Sequence, residues 1–592
     1  MYKIANAEQG FFQDVPTLGN QFVEDEALRS LLLRLIPSNV LEEITPDLVR
    51  FGGRVIEDIQ QYGSNIEENQ PKLRQYDHWS RRFDELTTSE GWRRMHDIAA
   101  EEGLVAIAYE RKFAEFSRLY QFSKIYLFAP SSSIYDCPLS MTDGAARVIE
   151  LIGDDHLKGQ VYPRLTRRDP KKFWTSGQWM TERPGGSDVG LTETIAEITN
   201  PAENTWRIDG FKWFSSATDA NIAMLLARGK DPNTGELRDG SKGLSLYFAQ
   251  VRTEDNKLNG VRIHRLNNKF GTKGLPTAEL ELVNMKGKLI GELNRGVPNI
   301  SHILNITRIY SALGCTSFMR RALYLAKEYS QKRKASGVYL SELPLHVATL
   351  ADLELKFRAA LQFVFYSIQL LGKSEANVAT TEETNMLRLV TPIVKLWCAK
   401  QSVQFVSECM ESLGGQGYME ETGISKLLRD TQVNTIWEGT TNVLSLDVLR
   451  VIRSTKGKIA GTLTKFIESK LLLLDNTEIP ANAREVLLQS SQEIRVALKS
   501  ILEFIQAFNN TQDMEAMARK FAFVLANILI STLLIEHAIW SIQFQNEETS
   551  QRDVITVKNW RHSLSQSMVE LAQAKNNSRN EDTLLVFGKT KL

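Results

Sequence analysis

Apolar residues recur every three to four positions through the first 175 residues and again after Asn299, which predicts amphipathic helices in both regions. One such face is formed by Leu28, Leu31, Leu32 and Leu35, and a longer one runs from Leu350 to Leu371. Residues 63–92 break this spacing and carry many charges, so we expect a solvated loop and a helix end there. Long helices at about 300–333, 385–413 and 441–454 favour an antiparallel bundle.

Between Lys172 and Leu293 the pattern changes to short runs of β-branched and aromatic residues separated by turn residues. This change predicts a small β-domain, with strands at Ile222–Leu226, Leu244–Val251, Val261–Leu266 and Ala278–Val283. Asp209-Gly210 separates two further runs and predicts a hairpin turn between Thr205–Ile208 and Phe211–Phe214.

The predicted fold is therefore mainly α with a central β-domain. Four domains are expected: an N-terminal helical domain (1–175), the β-domain (176–295), a four-helix bundle (296–455) and an additional C-terminal helical domain (456–592). The most apolar segment, Phe521–Ile535 with its extension to Trp540, is interrupted by Asn527, Glu536 and His537. A buried bundle helix explains it better than a membrane span does.

The composition narrows the possible functions. The chain has 592 residues, of which 42% are hydrophobic and 24% charged, so large cores are possible and global disorder is disfavoured. The 71 basic residues are balanced by 71 acidic residues, and the C-terminal region is also nearly neutral, which argues against nucleic-acid binding. Four cysteines form no CxxC pair, so we expect reduced thiols, no disulfide scaffold and no metal site.

The chain ends carry two weaker indications of location. The N-terminal residues show neither a secretory signal nor an arginine-rich transit peptide. The final tripeptide, Thr590-Lys591-Leu592, differs by one residue from the peroxisomal address Ser-Lys-Leu, and a frayed polar tail is the simpler interpretation. An intracellular, soluble protein is expected, with the cytoplasm favoured and peroxisomes or mitochondria left open.

Three segments carry candidate chemistry. Met180–Val189 contains two adjacent glycines and Ser187, which suit a phosphate or flavin edge but also an ordinary turn. Glu411–Tyr418 contains three glycines that are consistent with a helix C-cap or with close approach to a cofactor. In Trp437–Thr440, Glu438 is either a carboxylate with a raised pKa or a surface residue at a helix N-terminus.

Taken together, these segments resemble the acyl-CoA dehydrogenases. The pattern E-x-x-G-G-x-G-Y-x-x-E-x-x-x-x-K-x-x-x-D from Glu411 to Asp430 fits the C-terminal signature of that family. Met180–Val189 resembles its other signature, except that Trp179 and Leu191 stand where small residues are usual. Features typical of the AidB branch are the additional C-terminal region and the segments Gly185-Gly186, Cys137–Thr142, Met319–Ala322 and Asp447–Arg450.

The resemblance implies FAD as the cofactor. By residue-to-residue matching, the FAD site would include Gln178, Met180, Thr181, Gly186, Ser187, Trp213, Phe214, Ser215, Arg333, Glu411, Gly414, Gly415, Thr440 and Asn442. Arg333 and the Gly414-Gly415 turn would reach the FAD of a neighbouring subunit, which implies a homo-oligomer, with a tetramer built as a dimer of dimers expected. The thioester substrate would contact Ser187, Asn305, Arg308 and Gly439.

The implied reaction is α,β-dehydrogenation of acyl-CoA thioesters, with medium and long chains favoured. Glu438 would remove the α proton, the β hydride would pass to flavin N5, and a trans-2-enoyl-CoA would result. The backbone N–H of Glu438 and a flavin ribityl hydroxyl would polarise the thioester carbonyl. An electron-transfer flavoprotein is a candidate partner. The alternatives are a flavoprotein that sequesters acyl-CoA with little turnover and, less favoured, an AidB-type protective DNA-binding protein.

Overall fold

The computed structural model describes residues 5–455, 457–507, 511–574 and 579–588. Thr590-Lys591-Leu592, the tripeptide compared above with a peroxisomal address, lies outside these residues. The N-terminal region contains α1 (Glu26–Leu35), α2 (Ser38–Glu57), α3 (Ile59–Glu68), β1 (Lys72–Tyr76), β2 (Arg82–Thr87), α4 (Glu90–Glu101), α5 (Ala106–Glu110), α6 (Ser117–Phe128), α7 (Asp136–Ile152) and α8 (Tyr162–Leu165).

The loop predicted over residues 63–92 is wrong in its centre, where β1 and β2 form an antiparallel hairpin. Leu73 and Leu86 pack against the core of the β-domain. Asp84 Oδ2 accepts a hydrogen bond from the Ile263 amide at 3.0 Å, and Gln75 donates to the Ile263 carbonyl at 2.8 Å. The hairpin is stable because it packs against the β-domain. Its exposed face is charged, so the sequence pattern of this segment resembles a solvated loop.

The β-domain contains β3 (Ser176–Trp179), β4 (Ile195–Asn200), β5 (Thr205–Ser216), β6 (Ile222–Gly229), β7 (Leu244–Gln250), β8 (Val261–Leu266) and β9 (Thr277–Ile290). The strands β6, β4, β5, β9 and β7 are neighbours in this order, and pairing between β7 and β6 closes the barrel. β3 lies parallel to β6, and β8 lies antiparallel to β9. Trp206 and Tyr247 meet edge to face in the barrel core.

The hairpin turn predicted at Asp209-Gly210 is wrong, because β5 runs through both residues as one strand. The β5–β9 register shifts between Ile208 and Gly210, as in a β-bulge, and Asp209 Oδ1 accepts a hydrogen bond from the Asn284 amide at 2.7 Å. A Cβ at Gly210 would lie 2.3 Å from Oγ1 of Thr194, the residue just before the neighbouring strand β4. Glycine is therefore present for close packing and not for a turn.

The bundle region contains α9 (Gly296–Lys332), β10 (Lys334–Ala335), β11 (Val338–Tyr339), α10 (Pro344–Glu375), α11 (Thr381–Ser412), α12 (Ile424–Val433) and α13 (Thr441–Ser454). The helices α9, α10 and α11 have 37, 32 and 32 residues, and α9 packs on both of the others. The helices α6 and α7 of the N-terminal region pack against this bundle, so one hydrophobic core joins the two regions.

The C-terminal region contains α14 (Lys458–Leu471), α15 (Ala481–Ala507), α16 (Thr511–Phe544), α17 (Glu547–Ala574) and α18 (Arg579–Phe587). Within the described residues, one helical stretch, Met514–Phe544, is long and apolar enough to cross a membrane. Because 89% of its most apolar window is buried inside the protein, it is the core helix of this region. The predicted mainly-α architecture with a central β-domain is confirmed.

A fully buried ionic cluster lies where α6, α7 and α10 meet. The Arg118 guanidinium binds Asp143 Oδ2 at 2.6 Å and Glu375 Oε2 at 2.6 Å. Tyr109 and Tyr310 donate hydrogen bonds to the Asp143 carboxylate at 2.7 and 2.9 Å. Because every charge in this cluster has partners, the desolvation of each charge is offset by several hydrogen bonds.

Candidate functional site

The loop between α12 and α13 carries Glu438 in a conformation that is unusual for a residue with a side chain. Its φ is +56°, and the following Gly439 has a φ of +106°. Thr440 is the N-cap of α13, so Glu438 lies before this helix and not in its first turn. The Glu438 carboxylate is therefore not an acid at a helix N-terminus. It points instead toward α9, where Thr307 Oγ1 donates a hydrogen bond to Glu438 Oε2 at 2.5 Å.

The surroundings of Glu438 adjust its acidity in opposite directions. Burial raises the pKa of the carboxyl and outweighs the hydrogen bond from Thr307 and the nearby charges of Arg308 and Lys395, which lower it. A carboxyl whose pKa lies above its ordinary value is a stronger base when ionised. The geometry and the pKa shift therefore suit proton abstraction.

Arg308 faces Glu438 but is not free for a ligand. Its Nε donates to the Glu438 carbonyl oxygen at 3.2 Å, and its Nη1 binds Asp447 Oδ2 at 3.0 Å. Asp447 also binds Arg388 and Arg450, at 3.0 and 3.1 Å. The structure thus ties Arg308, which the resemblance assigns to the substrate, into the support of the Glu438 loop.

Several residues assigned to FAD come together on the β-domain. The Trp213 amide donates to the Thr181 carbonyl at 2.8 Å, which joins β5 to the segment after β3. Ser215 Oγ and Gln178 Oε1 are buried and have no hydrogen-bond partner among the described residues. Unpartnered buried polar atoms are costly, so these two atoms fit the polar edge of a ligand. One amide acceptor and one hydroxyl, which can donate or accept, suit the polar edge of a flavin.

The other assigned residues of the β-domain lie near its surface. Gly186 approaches Thr181 so closely that a Cβ would lie 2.8 Å from Thr181 Oγ1. Met180 is half-buried, Ser187 is exposed, and Phe214 is exposed with a φ of +52°. These residues border the same end of the barrel as Thr181 and Ser215.

Four further residues assigned to FAD lie together at a second location, between α9 and α11. Arg333, Glu411, Gly414 and Gly415 line a cavity of about 800 Å³ between the end of α9 and the end of α11. A Cβ on Gly414 or Gly415 would meet nothing within 4 Å, and Gly414 has a φ of +62°. No β-domain residue lines this cavity.

Arg333 also contacts the N-terminal segment of its own chain. Its Nη1 donates a hydrogen bond to Gln13 Oε1 at 3.4 Å, and its guanidinium lies 6.0 Å from the Phe11 ring centre. Glu411 is exposed at the cavity wall. Because solvent can hydrate its carboxylate there, the carboxylate does not need an ion-pair partner. The structure therefore places a basic residue and two open glycines together, apart from Ser215.

The residues on either side of Glu438 have smaller roles in the described geometry. Thr440 Oγ1 accepts the Val443 amide at 3.4 Å as the cap of α13. Asn442 is exposed in the first turn of that helix, and Asn305 is half-buried two residues before Thr307. Within the described residues no group of three or more His, Cys, Asp or Glu side chains could hold a metal ion.

Two residues of this site, Thr307 and Lys395, have no role predicted from the sequence. Lys395 Nζ donates hydrogen bonds to the carbonyl oxygens of Trp437 and Gly439 at 2.7 and 2.6 Å. A signal for Lys395 was present, because it is a lone charge within the apolar run Leu389–Ala399. A charge at a position that faces a helical core is rare and usually has a partner.

Comparisons with known protein families match four successive segments of the chain between residues 15 and 587. Family models match for the N-terminal domain of the adaptive response protein AidB (15–170), the acyl-CoA dehydrogenase middle domain (177–285), the acyl-CoA dehydrogenase C-terminal domain (294–452) and the C-terminal domain-like region of acyl-CoA dehydrogenase 11 (474–587). These matches confirm the resemblance that the signature segments indicate.

Two curated relatives and one solved structure extend this result. Acyl-CoA dehydrogenase family member 11 of Caenorhabditis elegans is 43% identical over 89% of this chain and 86% of its own length. The putative acyl-CoA dehydrogenase AidB of Escherichia coli is 30% identical over 68% of this chain and 73% of its own. The crystal structure of C. elegans ACDH-11 in complex with C11-CoA superposes with a TM-score of 0.88, at 40% identity and with 98% of each chain covered.

Proposed function

The chain belongs to the acyl-CoA dehydrogenase family of FAD-dependent oxidoreductases, and we propose that it converts medium- to long-chain, mostly unbranched acyl-CoA thioesters to trans-2-enoyl-CoA. The observation that carries this proposal is the Glu438 carboxylate, which is turned inward by its own backbone and held by Thr307. FAD, when bound, supplies the acceptor for the hydride.

The chain itself supplies the base and one donor. Glu438 takes the proton from the carbon next to the thioester carbonyl, at a carboxylate whose pKa burial raises. The backbone N–H of Glu438 makes no hydrogen bond to any described residue, so it is available to a thioester oxygen. A donor placed at a developing oxyanion typically contributes about 3–4 kcal/mol to lowering the barrier.

Two observations support the preference for medium and long chains. The segments Leu104–Tyr109 and Tyr120–Phe128 are almost entirely buried in the large hydrophobic core, which provides apolar and aromatic surroundings suited to an acyl chain. The C. elegans relative, which shares 40% of its sequence with this chain, was solved in complex with C11-CoA. Both favour a long apolar substrate over a short branched one.

We expect the purified protein to bind one FAD per chain, as a homo-oligomer. The two groups of FAD residues, around Ser215 and around Arg333, lie apart in one chain, so a complete site needs the second group from a neighbour. The measurements are the flavin spectrum and sedimentation, and the expected particle is larger than the 67.0 kDa chain. Arg333→Gln should lower FAD retention, because a guanidinium binds pyrophosphate in a planar fork.

The control for that variant is Lys334→Gln, which removes the adjacent cation and should leave FAD retention unchanged. A colourless protein that takes up no added FAD would contradict the FAD site. An FAD-loaded monomer would contradict the shared site while leaving the cofactor assignment intact.

A further inference from the structure

Lys395 is a buried cation that lies beside the Glu438 loop and makes no direct ion pair with a described residue. Its side chain is fully buried in the middle of α11, where the nearby charge of the Glu438 carboxylate acts on its ammonium group. Burial lowers the pKa of its ammonium group to about 7. Such a group is expensive to keep in a protein core, so a role beyond packing is expected.

The Lys395 ammonium binds the carbonyl oxygens of both residues that flank Glu438, at 2.7 Å to Trp437 and 2.6 Å to Gly439. Arg308 Nε binds the carbonyl of Glu438 itself at 3.2 Å. Three consecutive carbonyl groups of the loop therefore point at cations on α9 and α11. The side chain that stands between them is the proposed base.

Because a trans peptide group is planar, its carbonyl and its N–H point in opposite directions. Fixing the carbonyl of Trp437 therefore also fixes the direction of the Glu438 N–H, which is the proposed donor to the thioester oxygen. The amides of Glu438, Gly439 and Thr440 all lack hydrogen-bond partners among the described residues. They form the side of the loop opposite to Lys395 and Arg308.

The backbone of Glu438 also needs external support. A φ of +56° is disfavoured for a residue with a Cβ and persists only where the surrounding structure holds it. The hydrogen bonds from Lys395 on both sides of this residue supply that support. Without them, the loop could relax to a conformation in which the carboxylate leaves Thr307.

We propose that Lys395 is the positioning residue of the Glu438 loop: it holds the peptide groups on both sides of Glu438, and so aims both the carboxylate and the N–H of Glu438 at the substrate. This inference rests on the proposed function, because it takes Glu438 as the base and its N–H as a donor to the thioester oxygen. The support of the loop itself is a property of the protein without any ligand.

The test compares Lys395→Met with Lys400→Met, which removes a partly exposed lysine from the same helix. In Lys395→Met, FAD content and the dissociation constant of a saturated acyl-CoA should stay unchanged. The rate of flavin bleaching should fall by about 10²-fold, because small misplacements of a reacting group cost this much. Lys400→Met should bleach at the normal rate. A general loss of stability would weaken acyl-CoA binding as well as slow flavin bleaching.

Hydrogen exchange of the FAD-free protein gives a readout that does not depend on activity. The amides of Trp437, Val443 and Leu444 are hydrogen-bonded in and after the loop. Lys395→Met should speed their exchange, while exchange elsewhere in α11 and in the Lys400→Met protein stays as in the unaltered chain. If none of the tested acyl-CoAs bleaches the flavin of the unaltered protein, the proposed function fails. Hydrogen exchange still decides whether Lys395 supports the loop.

A second variant, Lys395→Gln, keeps an uncharged N–H donor group near the loop and should show an intermediate bleaching rate. The proposal is overturned if either variant folds and bleaches at the normal rate with unchanged exchange in the loop. It is equally overturned if neither variant folds, or if binding weakens in proportion to rate, because Lys395 then serves only the packing of the bundle.

Discussion

Replacing Glu438 with glutamine should slow flavin bleaching by saturated acyl-CoA by about 10²–10⁴-fold, the contribution typical of a positioned general base. Glutamine keeps the shape of the side chain and can still bond to Thr307, but it cannot accept the α proton. FAD content and acyl-CoA binding should survive, since a neutral amide is no harder to bury than a carboxylate. Stopped-flow absorbance under anaerobic conditions measures the rate.

The rate of flavin bleaching should also depend on pH. Because burial raises the pKa of Glu438, the bleaching rate of the unaltered protein should fall on acidification at a pH above the ordinary value for glutamate. Glu438→Gln should lose this limb of the profile. Glu421→Gln, an exposed glutamate in the preceding segment, is the control and should keep both the rate and the profile. Normal bleaching by Glu438→Gln would mean that the base lies elsewhere.

Replacing Arg118 with methionine should lower the free energy of unfolding by about 3–5 kcal/mol. Methionine fills much of the space but leaves the carboxylates of Asp143 and Glu375 without their central cation, in a place where the side chains are at most 5% exposed. Urea unfolding followed by tryptophan fluorescence measures the change.

Arg74→Met is the matched control for that experiment. Arg74 pairs with Glu85 at 2.7 Å, but its side chain is 68% exposed, and such surface pairs contribute about 0–1 kcal/mol. Equal effects of the two substitutions would show that the buried cluster adds no more stability than a surface ion pair does.

The sequence predicts the long helices well because their apolar spacing is uninterrupted, as from Leu350 to Leu371. It fails where tertiary contact decides the local structure. The hairpin of β1 and β2 shows mostly charged residues and depends on contacts with Ile263, about 180 positions later. Asp209-Gly210 has the composition of a turn, but Gly210 serves close packing against Thr194 inside a strand.

The candidate site is predictable in its chemistry and not in its supports. Glu438 stands out in the sequence because its neighbours Trp437 and Gly439 are unusual and because the surrounding signature is recognisable. Lys395 lies 43 positions earlier, and only the fold shows that it reaches the loop. Arg308 follows the same logic, since its ion pair with Asp447 spans two helices. The lone charge in an apolar run marks Lys395 as unusual, but the sequence does not show which backbone carbonyls it binds.

We propose that Glu438 and bound FAD together dehydrogenate an acyl-CoA. The most direct measurement adds saturated acyl-CoAs of increasing chain length, anaerobically, to the FAD-loaded protein and follows both the visible flavin absorbance and the acyl product. We predict bleaching with formation of trans-2-enoyl-CoA, fastest with medium to long unbranched chains. Tight binding of these thioesters without bleaching or enoyl product would contradict the claim and favour a protein that sequesters acyl-CoA.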